Sequence, residues 1–185
     1  MKEKIAAWQL CLENASQQFE VEFGKLNAKQ LDWKPNPETW SIAQNMNHLI
    51  TINESYYPAV QAVRAGSYKR PFWGRFGFYR KMMGDFILKS VQPDRKKKIK
   101  TFLIWEPGSS DLGADILPRF LKHQQEMAQF IASCEDLLEA GAAISSPASR
   151  VIVYNLDTAF DIITQHEFRH LAQACEILEL LRNDD

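Results

Sequence analysis

The chain reads as an all-α protein, a bundle built from four long amphipathic helices. Three observations lead there. Apolar residues recur at spacings of three and four in four separate stretches of helix length. Connectors with Pro, Gly and Ser separate those stretches. There is no strand-rich half, and the one β-branched run, Val151-Ile152-Val153-Tyr154, would stand alone as a strand. At 185 residues the expectation is a single domain, 1–185, long enough to bury a proper core.

The first helix spans roughly Lys2 to Phe23, with Ile5, Trp8, Leu12, Ala15, Phe19 and Phe23 on one stripe and Gly24 at its end. Pro35 and Pro37 keep the following connector out of helix. Its tryptophans, Trp33 and Trp40, are expected to pack over a bundle end. Ser41-Ile42-Ala43-Gln44 has the S-x-x-Q form of a capping box. It predicts a second helix from Ile42 to about Arg64, with Ile42, Met46, Leu49, Ile50, Asn53 and Tyr57 on one face and His48 on the flank. Tyr68 to Arg80 interleaves rings and cations, which reads as a cover with its charged tips in water. A short helix near Arg75 to Lys89 follows, weakened by Gly77 and Gly84.

The run Arg95-Lys96-Lys97-Lys98-Ile99-Lys100 reads as a solvated loop, and Pro107 to Ser110 continue a long connector. A third helix is expected from Asp115, whose side chain can cap it, to Gly141. Pro118 lies in its first turn, and Leu117, Phe120, Leu121, Ala128, Ile131 and Leu138 are its apolar positions. His123, among Lys122, Gln124 and Gln125, reads as exposed. The fourth helix starts at Asn155 or Asp157 and runs nearly to Asn183.

Composition narrows the class. Lys and Arg number 22 against 23 Asp and Glu, a net charge of −1. That balance argues against a protein devoted to coating nucleic acid or an anionic membrane. No apolar run reaches the length of a membrane span, and the amphipathic N-terminus lacks a signal-peptide core. Cys11, Cys134 and Cys175 are widely spaced and read as reduced packing residues. The expectation is a cytoplasmic protein with no membrane partner.

The chemistry lies in the fourth helix, at Gln165-His166-Glu167-Phe168-Arg169-His170-Leu171. Positions 159, 163, 166, 170, 174, 177 and 181 share one face, so His166 and His170 point with the apolar residues into the core. Residues four apart on a helix lie one above the other, about 6 Å apart at Cβ. Two imidazoles so placed can bind one metal ion, and they are costly in a core unless their ring nitrogens are satisfied. A third ligand elsewhere would decide for metal. His48 can lean toward such a site between two helices.

Trp40-Ser41-Ile42, Asn47-His48-Leu49 and His166-Glu167-Phe168-Arg169-His170-Leu171-Ala172-Gln173 together resemble the DinB-like (DinB/YfiT) superfamily over nearly the whole chain. The resemblance implies a four-helix bundle with long crossover loops and a divalent metal on three histidines, here His48, His166 and His170. For such a ligand set zinc or nickel comes first, with iron or copper also accepted by imidazole. The resemblance further implies a metal-dependent enzyme acting on a small molecule, either a transferase using a low-molecular-weight thiol or a hydrolase. A homodimer is common among similar proteins. Three imidazoles leave a position open for water or substrate, the pattern of a catalytic site.

Two other readings compete. His166 to His170 also matches H-E-x-x-H, the zinc-peptidase motif with Glu167 as general base. The extended form of that motif wants Gly and His where this chain has Gln173 and Glu176. Glu167 stands as the candidate catalytic base in either reading. The other alternative is a binding module that uses Tyr68 to Arg80 and Arg95 to Lys100 to hold single-stranded nucleic acid, with salt-sensitive affinity. Within the enzyme reading, Phe72, Trp73 and Phe76 are candidates to line or cover the pocket.

Overall fold

The structure, a computed structural model, describes residues 1–93, 101–108 and 111–184. The Arg95–Lys100 run lies outside the described residues. The chain forms α1 (Lys2–Phe23), α2 (Ala28–Asp32), α3 (Ile42–Glu54), α4 (Tyr57–Arg64), α5 (Gly77–Ser90), α6 (Ile116–Ala132), α7 (Glu135–Glu139), β1 (Ala143–Ser146), β2 (Ser149–Asn155) and α8 (Leu156–Asp184). Single 3-10 turns at Trp73–Arg75 and Leu103–Trp105 interrupt the crossover between α4 and α6.

Helices α1, α3, α6 and α8 are the bundle. The six stripe residues read from the sequence are all buried on α1. Phe19 is fully buried against Phe120 of α6, ring centroids 4.5 Å apart, which contributes about 2–3 kcal/mol relative to exposure. The Ser41 capping box is present in both directions, Ser41 Oγ accepting from the Gln44 amide and Gln44 Oε1 from the Ser41 amide.

Side-chain contacts give the helix directions. Lys4 reaches Asp157 and Trp8 reaches Asp161, so α1 and α8 run parallel. Gln9 bonds Ala128 while Phe19 meets Phe120, so α1 and α6 run antiparallel. Asn45 contacts His170 and Asn53 contacts Glu167, so α3 runs antiparallel to α8. The parallel α1–α8 pair departs from the all-antiparallel packing that a simple bundle would show. The long crossover between α3 and α6 makes it possible.

Three sequence expectations change. The second helix is broken at Ser55–Tyr56, because Pro58 has no N–H to give and its ring clashes with the carbonyl four residues back, that of Glu54, where α3 ends. The third helix splits into α6 and α7. Asp115 makes no capping bond; its carboxylate lies 3.7 Å from Arg119. Gly141 does end the segment, at φ 63°. The β-branched run is not alone either: β2 pairs antiparallel with β1, Ile144 opposite Tyr154. β1 is half serine, and Pro147 follows it directly, which hid the hairpin.

The crossover residues close one side of the bundle. α5 lies across β2 and the start of α8, and Gly84 makes that approach possible: a Cβ there would sit 2.7 Å from Thr158 Cγ2. The aromatic-basic stretch does act as a cover, and what it covers is the hairpin. Trp73 Nε1 and Tyr79 Oη both donate to the Val151 carbonyl, at 3.1 and 2.7 Å.

Gly84→Ala should therefore destabilise the protein by about 1–3 kcal/mol, although Ala is the better helix former by about 1 kcal/mol. Chemical denaturation checks this, and a neutral or stabilising result would mean that α5 does not need the close approach.

Candidate metal centre

α3 and α8 meet at the level of the histidines. His48, His166 and His170 come together there, one ring nitrogen from each lying within 4.8 Å of the others. All three are buried. His48 is thus central, although its flank position on the helix stripe predicted a boundary. The nearest pair is His166 Nε2 to His170 Nε2, 3.0 Å. The rings of His48 and His170 lie 4.6 Å apart and those of His48 and His166 5.3 Å.

Two neighbours fix which nitrogen faces the cluster. His48 Nδ1 lies 2.7 Å from the Trp105 carbonyl, which can only accept, so Nδ1 carries the proton. His170 Nδ1 lies 2.7 Å from Asn45 Oδ1, and Asn45 is oriented by its own Nδ2 donating to the Ser41 carbonyl. Both Nε2 atoms are therefore bare lone pairs when the rings are neutral. Burial pushes all three imidazoles below their ordinary range; nearby charge lowers His166 and His170 further, while the Trp105 carbonyl opposes the shift at His48. Neutral rings with converging lone pairs suit a cation. The residues present fit a bound metal.

Trp40 belongs here rather than at a bundle end. It stacks on His170 at 5.9 Å and 18° and lies 4.9 Å from His48. The capping box at Ser41 holds it in place, one residue before the helix.

A cavity of about 570 Å³ opens beside the histidines. Its walls include Ile52, Tyr56, Ile87, Val91, Phe102, Trp105, Ile152 and Tyr154, with Arg169 among the polar lining. Phe72, Trp73 and Phe76 are not part of that lining, contrary to expectation; they sit on the outer side of the hairpin. Tyr56 and Tyr154 share a hydroxyl–hydroxyl contact of 2.9 Å. Burial raises both phenols, Tyr154 to about 12, so they stay protonated at neutral pH. Arg169 Nη1 donates to the carbonyls of Ser90 and Gln92 at 3.3 and 3.1 Å, which ties the end of α5 to α8 one residue before His170.

Glu167 faces the other way. It is fully buried, with Oε1 accepting from Asn53 Nδ2 (2.8 Å) and Oε2 from Gln124 Nε2 (2.7 Å), and it does not line the cavity. Burial pushes its carboxyl up to about 7, against the pull of the two amides. Glu176 does line the cavity but is outside the histidine group.

A family model described as the DinB superfamily matches residues 12–174. The chain belongs to the DinB superfamily. The match spans all three histidines, the whole of α3, and α8 as far as Ala174. No curated protein and no solved structure matched the chain. Among the described residues, no helix of this DinB member is long and apolar enough to cross a membrane.

Sequence reasoning missed Asn45, Trp105, Tyr56 and Tyr154. Asn45 had a signal: it lies three residues before His48, on the same helical face. His123 was misplaced as exposed. It is 4 % exposed, facing the bundle in series with Ile116, Phe120, Met127 and Ile131. Lysine and glutamine neighbours masked that series.

Burial pushes the His123 imidazole down to about 4, with Glu126 opposing. An unfolded histidine titrates near 6.5. Between those values the unfolded chain binds the extra proton, so stability falls as pH drops from about 6.5 toward about 4. His123→Gln should remove a share of that loss, on the order of 1–3 kcal/mol, read from denaturation at pH 7 and pH 4.5. Identical pH slopes in both proteins would show that His123 is already accommodated as a cation.

Proposed function

We propose that the protein is a metal-dependent enzyme acting on a small molecule, with His48, His166 and His170 holding one divalent ion. The observation that carries this is the convergence of three neutral imidazoles, two with their proton fixed on Nδ1, at the wall of a cavity of about 570 Å³. Zinc and nickel suit the ligand set best, and iron or copper accept it too. When bound, such an ion supplies a Lewis acid that makes a thiol or a water nucleophilic at neutral pH. We favour a thiol, and so transfer chemistry, over hydrolysis. The reading places the protein in the cytoplasm, with its three free cysteines reduced.

The other residues take roles from their positions. Asn45 and the Trp105 carbonyl keep the histidine tautomers. Trp40 shields the outer faces of His48 and His170 from water. The Tyr56–Tyr154 pair retains its protons and offers a hydroxyl hydrogen bond to whatever enters the cavity. Glu167 holds α3 and α6 against α8. In this reading it serves the centre by position, and its elevated pKa of about 7 keeps the base role of the H-E-x-x-H reading as the alternative.

Elemental analysis of the purified protein should find about one divalent ion per chain. Alanine at His48, His166 or His170 should strip it, and His123→Ala should retain it. Asn45→Ala should weaken binding about 10- to 100-fold in a chelator competition. Metal retained after loss of any of the three histidines would refute the assignment.

A thiol titration of the cobalt-substituted protein separates the two chemistries. A sulfur-to-cobalt charge-transfer band is the expected outcome. A metal-dependent hydrolase activity without that band would move the reading to hydrolysis. Glu167→Gln keeps one acceptor oxygen and loses the other, so it should lower stability but keep both metal and band; activity lost with metal and fold retained would restore Glu167 as the base.

A further inference from the structure

The overall charge of −1 hides a local asymmetry. Between positions 67 and 92 the cations are Lys69, Arg70, Arg75, Arg80, Lys81 and Lys89, and the acid is Asp85. The polar anchors of this segment are turned inward. Besides the bonds of Trp73 and Tyr79 to Val151, Arg80 donates to Asn155 Oδ1 at 2.7 Å and to the Gly74 carbonyl at 3.0 Å. Gly74 lies flat against Val153. The module is fastened to the hairpin, and its rings point out.

Phe72, Phe76 and Phe78 are 67 %, 44 % and 73 % exposed. They touch one another, with centroids 5.4 and 6.0 Å apart. Met82 and Phe86, also exposed, continue from Phe78 at steps of four along α5, a line of about 12 Å. Exposed apolar surface held in this way marks a contact face. Beside it lies a surface groove of about 320 Å³ lined by Val63, Gly66, Tyr68, Arg70 and Arg75. It offers two guanidinium groups and no carboxylate, a set suited to a phosphate group.

We propose that this face docks on an anionic phospholipid surface. Arg70 and Arg75 take a phosphate headgroup, and Phe72, Phe76, Phe78, Met82 and Phe86 enter the boundary between headgroups and acyl chains. Charge selects this occupant. A second copy set face to face would oppose the same cations to each other. Single-stranded nucleic acid stacks on successive rings, and the exposed Met82 between Phe78 and Phe86 offers no ring to stack on. The apolar line along α5 gives a phosphate backbone nothing to bond.

The test is sedimentation of the full chain with vesicles of phosphatidylcholine, alone or with added phosphatidylglycerol. Binding is expected to the anionic vesicles and to weaken as salt rises. Arg70→Ser/Arg75→Ser and Phe78→Ser/Phe86→Ser should each lower it by about tenfold or more, with circular dichroism unchanged. The arginine pair is exposed and outside the core, so its effect is read independently of packing. The proposal is overturned by any of four results: no binding to anionic vesicles at low salt; equal binding to neutral ones; retention of a single-stranded oligonucleotide or inorganic phosphate without vesicles; or a dimer, blind to vesicles, that Phe78→Ser/Phe86→Ser converts to monomer.

Discussion

A layer of polar side chains crosses the middle of the bundle, and the packing of the bundle helices is subject to it. His48, Asn53, His123, Gln124, His166, Glu167 and His170 are all buried there. Below the layer lies one apolar cluster, with Trp8, Met127 and Phe160; above it lies another, with Phe23, Phe120 and Leu178. Burying a carboxylate and several imidazoles is unfavourable unless each finds a partner, with a cost of about 1–3 kcal/mol for each lost neutral bond and more for a charge. For His170 and Glu167 the partners come from other helices: Asn45 and Asn53 from α3, Gln124 from α6. A slip of one helical turn, about 5.4 Å, would keep the apolar contacts approximately in place but break the Asn45–His170, Asn53–Glu167 and Gln124–Glu167 bonds. The register of α3 and α6 against α8 is therefore set by polar groups, within a bundle whose cohesion is apolar.

That division explains what the sequence made legible. Helix stripes are local and periodic, so α1 and α8 could be read to within a residue or two, as could the Ser41 cap. The histidine pair was legible for the same reason: residues 166 and 170 share a face whatever the tertiary structure. His48 needed the resemblance, because its own helix shows only a flank position. His123 failed for the converse reason. Its hydrophilic neighbours outweighed a stripe that Ile116, Phe120, Met127 and Ile131 in fact define. Pro58 is a local signal for the break of the second helix, masked by an apolar stripe that continues to Tyr57. The Trp105 carbonyl could not have been found, since any residue supplies a carbonyl and only the crossover path brings this one to His48.

The histidine group and the cavity wall share only part of their elements, and those elements differ in tolerance for change. The three histidines stand on bundle helices whose register the polar layer fixes, which is what a constellation needing sub-ångström placement requires. Much of the wall comes from the crossover and the hairpin: Ile87 and Val91 on α5, Phe102 and Trp105, Ile152 and Tyr154. Of these, Trp105 touches the histidine group through a backbone oxygen, which survives any substitution of its side chain. Side chains on the crossover and the hairpin can therefore vary in size and polarity without moving a histidine nitrogen. The reverse does not hold. Asn45, Asn53 and Gln124 line up the helices themselves, and a substitution there acts on the centre whatever the cavity contains.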